Sequence, residues 1–213
     1  MPADLQTFVQ ADLRFLMPLH SGQQVVVIGE APQLTAALEE EDIITSMVMP
    51  ISDTKHLLLA DRSADHVIVP VLQEHDYHQL LQEISRVIKV GGWLLLGFRN
   101  AEGLSRLAFW KGAKKNGAPR VALNTCHELL TASGFDILTA FGVRQNLENP
   151  QFLIPLDRRE TSHFFFQRIF FPNTRAAALA QKAASALTSA GLQRILFADI
   201  AVLAQKRNTA EVK

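Results

Sequence analysis

The sequence lacks a second cysteine, an excess of charge of either sign and any long apolar run. Because Cys126 stands alone, the chain can form neither an internal disulfide nor a cysteine-based metal cluster. Lysine plus arginine and aspartate plus glutamate number 21 each, so no overall field attracts the chain to nucleic acid or to an anionic membrane. No apolar run approaches the roughly 18 residues of a membrane-spanning helix. We therefore expect no transmembrane segment, and nucleic acid is not a favoured partner.

Signals for secretion, for metal binding and for common catalytic motifs are also missing. The first residues, MPADLQTFVQADL, include acids and lack the basic-then-apolar order of a signal peptide, so we expect a cytoplasmic location. His75 and His78 lie one helical turn apart without a third ligand, which favours a surface pair over a metal site. There is no P-loop, no Ser-His-Asp order and no His-Glu-x-x-His motif. We expect no metal, and a buried structural role for Cys126.

Residues 65–100 predict a strand, a helix and a second strand. The apolar run 67–72 lacks polar alternation, as expected of a strand buried on both faces of a parallel sheet. A helix starts at Asp76, which can cap it, and ends where Gly91 supplies a left-handed residue. The run 93–98 is the second buried strand. Together they form a right-handed βαβ unit.

The remaining apolar patterns predict the same architecture. With 48% hydrophobic and 20% charged residues, the 213-residue chain has a globular composition, and we expect one domain over 1–213. The other predicted strands are Gln24–Gly29, Ile43–Ile51, Asp136–Val143 and Ile195–Lys206, and further helices open at Pro32 and span Thr125–Ser133.

Several segments resemble, in order, the motifs of the class I S-adenosylmethionine-dependent methyltransferases. They are VVVIGEAPQLTAAL, SDTKHLLLADRSADHVIV, EISRVIKVGGWLLLGFRN, ELLTASGFDILTAFGV and, near the end, ILFADIAVLAQK. The resemblance covers residues 20–143 and 195–206. It implies a Rossmann-like α/β fold: a mostly parallel sheet of about six strands with flanking helices, an antiparallel last strand and a helical insertion before it. It also implies S-adenosylmethionine as a possible cofactor.

The resemblance implies five cofactor-binding candidates. Gly29 and Glu30 correspond to the loop after the first strand, and Asp53 with Thr54 to the segment whose acid meets the adenine. Pro70 follows the strand whose carboxyl end lines the crevice, where open α/β sheets bind ligands. Each has a plainer structural interpretation: a tight turn at Gly29, an exposed acid at Glu30, and a local turn at Asp53.

The cofactor half departs from the family pattern. Gly29 is the only glycine left in its loop, and Val27 stands where the family carries an acid in the first strand. No acid occurs in 49–51, where a ribose-holding carboxylate is expected. Asp53 follows Gly29 by 53 − 29 = 24 positions, too few for the usual elements. The spacing predicts that one helix and one strand of this half are missing.

The segment after the fifth family strand is basic. It has one acid, Glu102, between Arg99 and Arg120, and it could bind a phosphate, a nucleotide-sugar or a carboxylate, meet an acidic partner, or be a solvated loop. The substrate- or anion-binding candidates are Arg99, Arg106, Trp110, Lys111, Lys114 and Lys115.

Residues 144–194 are predicted to form a Phe-rich helical insertion. Its segment ETSHFFFQRIFF has too many phenylalanines for one narrow helix face. Core packing is the favoured interpretation, and a surface for a protein partner or for homo-oligomerisation is the second. An exposed patch that meets a membrane surface is a further alternative. An Ala-rich helix ended by Gly191 follows.

Three functions fit these observations. The first is an active methyltransferase acting on a small or glycan-like substrate, since methyl transfer needs mainly proximity and alignment. The second is a non-catalytic, partner-binding protein that keeps the fold with a degraded cofactor site. The third is a binder of another anionic, nucleotide-like ligand. The shortened cofactor half favours the second, with the active enzyme as the main alternative.

Overall fold

The computed structural model describes residues 13–48, 56–72, 77–104, 119–148, 150–168 and 175–208. Short 3-10 turns cover Leu13–Leu16 and Gln193–Leu196. The helices and strands within the described ranges are β1 Gln24–Ile28, α1 Pro32–Glu39, β2 Ile44–Val48, β3 Ala64–Val69, α2 Tyr77–Val87, β4 Ile88–Asn100, β5 Arg120–Val121, α3 Leu123–Ala132, β6 Phe135–Arg144, β7 Phe152–Pro155, α4 Arg159–Arg168, α5 Arg175–Ser189 and β8 Asp199–Lys206.

The eight strands form one sheet in the order β2-β1-β3-β4-β8-β6-β7, with β5 beside the end of β4. The pairs from β2 through β4 and β5 are parallel. The last strand, β8, lies antiparallel between β4 and β6, and β7 is antiparallel to β6. The predicted fold class is therefore confirmed. The two additional strands, β5 and β7, have two and four residues, which is too short to give a recognisable apolar pattern.

Both faces of the central strands are buried, because helices cover both sides of the sheet. One set of alternating side chains, including Val26 and Leu94, packs with residues of α2 and α3; we call this side the α2 face. The other set, including Val25, Val27 and Leu95, packs with α1 and the turn before β1; we call this side the α1 face. Burial on both sides explains the continuous apolar runs of β1, β3 and β4.

The boundary between α2 and β4 differs from the prediction. The helix ends at Val87 and β4 starts at the next residue, so the prediction that Gly91 ends the helix is wrong. Gly91 does have φ +77°, but it lies inside β4. Two tertiary contacts set the earlier end: Ile88 pairs with Ala64 in β3, and Lys206 Nζ donates a hydrogen bond to the carbonyl oxygen of Ile88 at 2.8 Å. The predicted cap residue, Asp76, lies outside the described residues.

The Phe-rich segment contributes to the main core on the α2 face. Phe165 and Phe166 are buried, and their rings lie 5.4 Å apart, with Phe166 continuing to Phe197 at 5.5 Å. Phe164 is 59% exposed. Core packing therefore holds for two of the phenylalanines, whereas Phe170 and Phe171 lie outside the described residues. Besides α4 and α5, the segment 144–194 contains the edge strand β7.

Candidate functional site at the carboxyl edge of the sheet

The carboxyl ends of β1, β2, β3 and β4 meet at one edge of the sheet. At the same edge β6 ends and β8, which runs the opposite way, begins. Open α/β sheets bind ligands outside the carboxyl ends of their parallel strands. Of the predicted site residues, Gly29, Glu30, Pro70 and Arg99 lie at or next to this edge within the described ranges.

Gly29 lies at this edge, at the end of β1. Its φ is +106°, a backbone conformation that residues with a Cβ rarely adopt. Its N–H donates a hydrogen bond to the carbonyl oxygen of Val48 at 3.1 Å. A Cβ placed at Gly29 would meet no described atom within 4 Å, so the backbone borders open space. Glu30 is exposed, and α1 starts two residues later at Pro32 without a side-chain cap. A ligand can thus approach this loop closely, but the loop offers few polar groups.

Two of the cofactor-binding candidates, Asp53 and Thr54, lie outside the described residues. The described connection that follows, residues 56–63, contains neither a helix nor a strand. It packs against α2, and Leu57 is fully buried there. The predicted shortening between Gly29 and Asp53 also involves residues 49–55, which lie outside the described residues, so it stays a prediction.

An ion-pair network attaches this connection to α2. Arg86 donates hydrogen bonds to Glu83 at 2.8 Å and to Asp61 at 2.6 Å, and also to the carbonyl oxygens of Leu57 and Leu59. The Glu83 carboxylate accepts a hydrogen bond from the Leu57 N–H at 3.1 Å and contacts the ring of His56. The hydrogen bond from Arg86, together with the other donors, lowers the pKa of Glu83 to about 2 despite partial burial.

Pro70 is buried and directly follows β3. A Cβ at Gly97 would lie 2.1 Å from the carbonyl oxygen of Pro70 and 2.8 Å from Cδ2 of Leu147. The N–H of Leu72 also donates to the carbonyl oxygen of Gly97 at 2.7 Å. The backbone after β3 therefore packs directly onto β4, and only glycine fits between them.

Arg99 is the one member of the predicted basic site within the described residues. It pairs across the sheet with Arg120 in β5 and with Asp199 in β8, so the three side chains lie on the α1 face. Arg99 and Asp199 are half-buried and Arg120 is exposed. Burial raises the pKa of the Asp199 carboxyl, whereas the charges of Arg99 and Arg120 act in the opposite direction. The candidates Arg106, Trp110, Lys111, Lys114 and Lys115 lie outside the described residues.

Asp199 was missed by the sequence analysis. Its only signal was its place in the apolar segment ILFADIAVLAQK, which resembles the antiparallel last strand of the family. An acid at the start of an antiparallel strand lies at the edge of the sheet where the neighbouring strands end. The reason is that the antiparallel strand runs in the opposite direction to those neighbours.

The backbone after β4 is held in place by Asn100. Its amide Nδ2 donates to the carbonyl oxygens of Arg194 at 2.9 Å and Phe197 at 3.0 Å, and its Oδ1 accepts from the N–H of Glu102 at 2.9 Å. Arg194 Nε lies 3.1 Å from a carboxylate oxygen of Glu102. These contacts join the exit of β4 to the entrance of β8 and so fix the position of Asp199.

Metal-binding and nucleophilic groups are scarce in the described ranges. No group of three or more histidine, cysteine or acidic side chains there could hold a metal ion. Burial raises the pKa of the Cys126 thiol to about 12, so it is neutral and inert at ordinary pH. Of the predicted histidine pair, His78 is exposed on α2, and His75 is outside the described residues. Among the described helices, each is too short or too polar to cross a lipid bilayer.

Comparisons with known proteins give matches at the level of the fold. No protein-family model and no curated protein sequence matches the chain. A solved S-adenosylmethionine-dependent methyltransferase from Archaeoglobus fulgidus has a TM-score of 0.57 and 18% identity, with 91% of each chain covered. A structure of the Haloferax volcanii Trm112 methyltransferase activator bound to a candidate methyltransferase gives 0.54 and 16%, covering 90% of this chain and 86% of that chain.

A third similar structure is a Haemonchus contortus phosphoethanolamine N-methyltransferase, in complex with phosphomonomethylethanolamine and S-adenosylhomocysteine. Its TM-score is 0.54 at 17% identity, covering 90% of this chain and 50% of that chain. At these identities the likeness establishes the fold and leaves the reaction and the substrate open.

Proposed function

We propose, from the premise that this chain has the fold of the class I S-adenosylmethionine-dependent methyltransferases, that it is a partner-binding accessory protein and does not transfer methyl groups. The observation that carries the proposal is the outer edge of β2. This strand ends the sheet on the cofactor side, and among the described residues only β1 pairs with it. Ile44 and Met47 of β2 are 57% and 54% exposed.

The shortened half weakens the cofactor site for a physical reason. A ribose is usually held by a carboxylate at the end of the strand after the glycine loop. Here β2 ends at Val48, and the residues that follow, Met49 to Ile51, carry no acid. The loop after β1 contains a single glycine, Gly29, and it is followed by Pro32, which has no backbone N–H to donate to a ligand. Fewer donors and acceptors therefore face a bound nucleoside than in an intact site.

Partner binding fits the fold as well. The methyltransferase-fold protein of Haloferax volcanii is in complex with an activator protein, so one neighbour of this fold works with a partner. On the Phe-rich segment, the second predicted partner surface, Phe165 and Phe166 are buried, whereas Phe164 and Leu179 are exposed. The β2 edge combines exposed apolar side chains with backbone groups that no other strand within the described ranges pairs with, which makes it the stronger candidate surface.

Calorimetry and thermal melting with S-adenosylmethionine and S-adenosylhomocysteine test the proposal. A ligand at 100 times its Kd stabilises a protein by about 2.7 kcal/mol. We expect no binding heat and no shift in Tm at millimolar ligand. A shift that Asp53→Asn abolishes, and that the matched surface variant Asp136→Asn leaves intact, would overturn the accessory role. Methyl transfer from labelled donor to a small acceptor would overturn it directly.

The alternative function, an active methyltransferase or a binder of another anionic ligand, is favoured by Arg99, Arg120 and Asp199 at the carboxyl edge. Two guanidinium groups suit a carboxylate or phosphate, and an acid with a raised pKa can accept a proton from a methyl acceptor. Titration with S-adenosylmethionine and with ADP distinguishes these cases. Binding of ADP alone, lost in Arg99→Gln and retained in Arg62→Gln, would support the anionic-ligand function.

A further inference from the structure

The outer edge of β2 has two residues whose backbone groups point away from the sheet. Within the strand, the N–H of Ile44 donates to the carbonyl oxygen of Gln23 at 3.0 Å, and the carbonyl oxygen of Val48 accepts from the N–H of Gly29 at 3.1 Å. Backbone groups alternate between the two edges of a strand, so those of Thr45 and Met47 point outward. In the described part of the chain, no other strand pairs with them.

Nothing in the sequence of β2 protects this edge. Natural sheets blunt their edges with prolines, lysines, bulges or very short strands. The opposite edge strand, β7, has four residues, ends at Pro155 and packs against α4. By contrast, β2 reads Ile-Thr-Ser-Met-Val, with neither a charge nor a proline. An uncharged, apolar edge of this kind is a template for an added strand.

A run of four acids, Glu39 to Asp42, lies directly before β2. All four are exposed at the turn between α1 and the strand. Glu39 accepts a hydrogen bond from the hydroxyl of Thr45 at 3.1 Å, which brings its carboxylate beside the open edge, and Glu41 pairs with Arg14 at 2.8 Å. The amino-terminal end of β2 is therefore strongly negative, whereas the strand itself is neutral.

We infer that the β2 edge binds an extended segment of a partner protein that carries lysine or arginine at one end and alternating β-branched residues along the rest. This inference rests on the proposed accessory function. The segment adds as a strand to Thr45 and Met47. Its side chains on one face of the sheet pack beside Ile44, those on the other face pack beside Met47, and its basic end meets the acids.

Charge complementarity favours this occupant over a second copy of the chain. Parallel pairing of two β2 strands would bring their acidic runs side by side. Like charges on neighbouring strands repel each other, so this pairing is unfavourable. Antiparallel pairing would place each acidic run near the far end of the other copy's β2, which reads Ile-Thr-Ser-Met-Val and provides no cation. Pro50 also lacks the N–H that a longer ladder needs.

Fluorescence anisotropy with short synthetic peptides tests the inference. The probes are fluorescein-labelled KKTVTVT and TVTVTKK, which allow parallel and antiparallel addition, and the same peptides with glutamate in place of lysine. We expect one lysine peptide to bind, with the glutamate version at least about tenfold weaker, a difference of about 1.4 kcal/mol. Raising the salt concentration should weaken the lysine peptide, because salt screens exposed charges.

Variants at Met47 and in the acidic run locate the binding edge. Met47→Pro removes an outward N–H that no strand of the described sheet uses, so it should block the edge and keep the fold. Met47→Thr, which keeps the N–H, is its matched control. If Met47→Pro loses its native circular dichroism, Met47→Lys replaces it, because an ammonium group at the edge repels the lysine probe. The double variant that carries Glu40→Gln and Asp42→Asn should bind the lysine and glutamate probes equally, because two of the four acids have lost their charge.

Several outcomes would overturn the inference. They are the absence of binding by either lysine peptide, equal binding to folded Met47→Pro and to Met47→Thr, and equal binding of lysine and glutamate probes. A concentration-dependent dimer that Met47→Pro disrupts would show that a second copy occupies the edge. Methyl-donor binding is measured separately, so peptide binding together with donor binding would overturn the accessory role and leave the edge inference standing.

Discussion

The imidazole of His66 accepts a hydrogen bond from the backbone N–H of Trp93, with 3.3 Å between Nδ1 and N. Since Nδ1 is the acceptor, Nε2 carries the proton and donates to Oε1 of Gln23 at 3.1 Å. One neutral ring thus links β3, β4 and the residue before β1. It lies where the register between β3 and β4 shifts, next to the pairing of Ala64 with Ile88.

This ring makes stability depend on pH. Burial lowers the pKa of His66 below its ordinary value of 6.5, so below pH 6.5 the unfolded chain binds protons more readily than the folded one. The contribution of His66 to the free energy of unfolding is complete above pH 6.5 and declines as the pH falls toward the folded-state pKa of this residue. Urea unfolding of wild type and His66→Asn at pH 7.5 and 5.5 measures it. We expect the wild type to lose more stability on acidification than the variant.

His127 is the control for this experiment, because burial lowers the pKa of His127 as well. The His127→Gln variant should keep the part of the pH dependence that belongs to His66. Suppose that His66→Asn loses as much free energy of unfolding between pH 7.5 and 5.5 as the wild type does, and that His127→Gln loses less. The proton-sensitive group is then His127, and the prediction for His66 is wrong.

Removing the Glu83 carboxylate should destabilise the fold. Glu83→Gln breaks charge-assisted bonds to Arg86 and weakens the attachment of residues 56–63, so we expect a loss of about 1–3 kcal/mol in the free energy of unfolding. The exposed helical acid Glu128 provides a matched control, and Glu128→Gln should change stability by less than about 0.5 kcal/mol.

The Glu83 carboxylate also predicts that the protein loses stability at acidic pH. The pKa of Glu83 is about 2 in the folded chain against an ordinary 4.5, so its contribution is full above pH 4.5 and lost as the pH falls toward 2. Denaturation of wild type and Glu83→Gln at pH 5 and pH 3 should give stabilities that converge at the lower pH. A constant difference between the two proteins would contradict the assignment.

Gly142 and Phe197 should behave as a coupled pair. A Cβ at position 142 would lie 2.3 Å from two ring carbons of Phe197, so Gly142→Ala should cost about 1–3 kcal/mol through overpacking. Phe197→Ala removes the whole ring, including the Cγ and Cδ2 atoms that this Cβ would meet. We therefore expect the double variant to be more stable than the sum of the single losses predicts, by about 0.5 kcal/mol or more. Simple additivity in urea unfolding would show that the strain arises elsewhere.

Cys126 should react with thiol reagents only when the protein opens. Its side chain is buried in α3 and burial raises the pKa of the thiol to about 12, so very little thiolate exists at pH 8. We expect slow labelling by Ellman's reagent in buffer and rapid labelling in 6 M urea. Rapid labelling of the native protein, with unchanged circular dichroism, would place the thiol at an accessible surface.

The fold was predictable because its strands are buried on both faces. Unbroken apolar runs at 67–72 and 93–98, separated by an amphipathic helix, leave few alternatives to a parallel sheet. Boundaries were less predictable, because tertiary contacts moved them. The end of α2 depends on Lys206, more than a hundred residues away in the chain, and a local pattern has no access to such a partner.

The sequence by itself determined the α/β class, the order of its strands' apolar runs and the spacing of 24 positions between Gly29 and Asp53, because each depends on residues close together in the chain. Only the tertiary structure placed Asp199 beside Arg99, since the antiparallel course of β8 brings together residues 100 positions apart. That β2 pairs with β1 alone in the described part of the sheet was decided at the same level. Whether a strand has a second neighbour depends on how the sheet is assembled, and its own five residues carry no record of it.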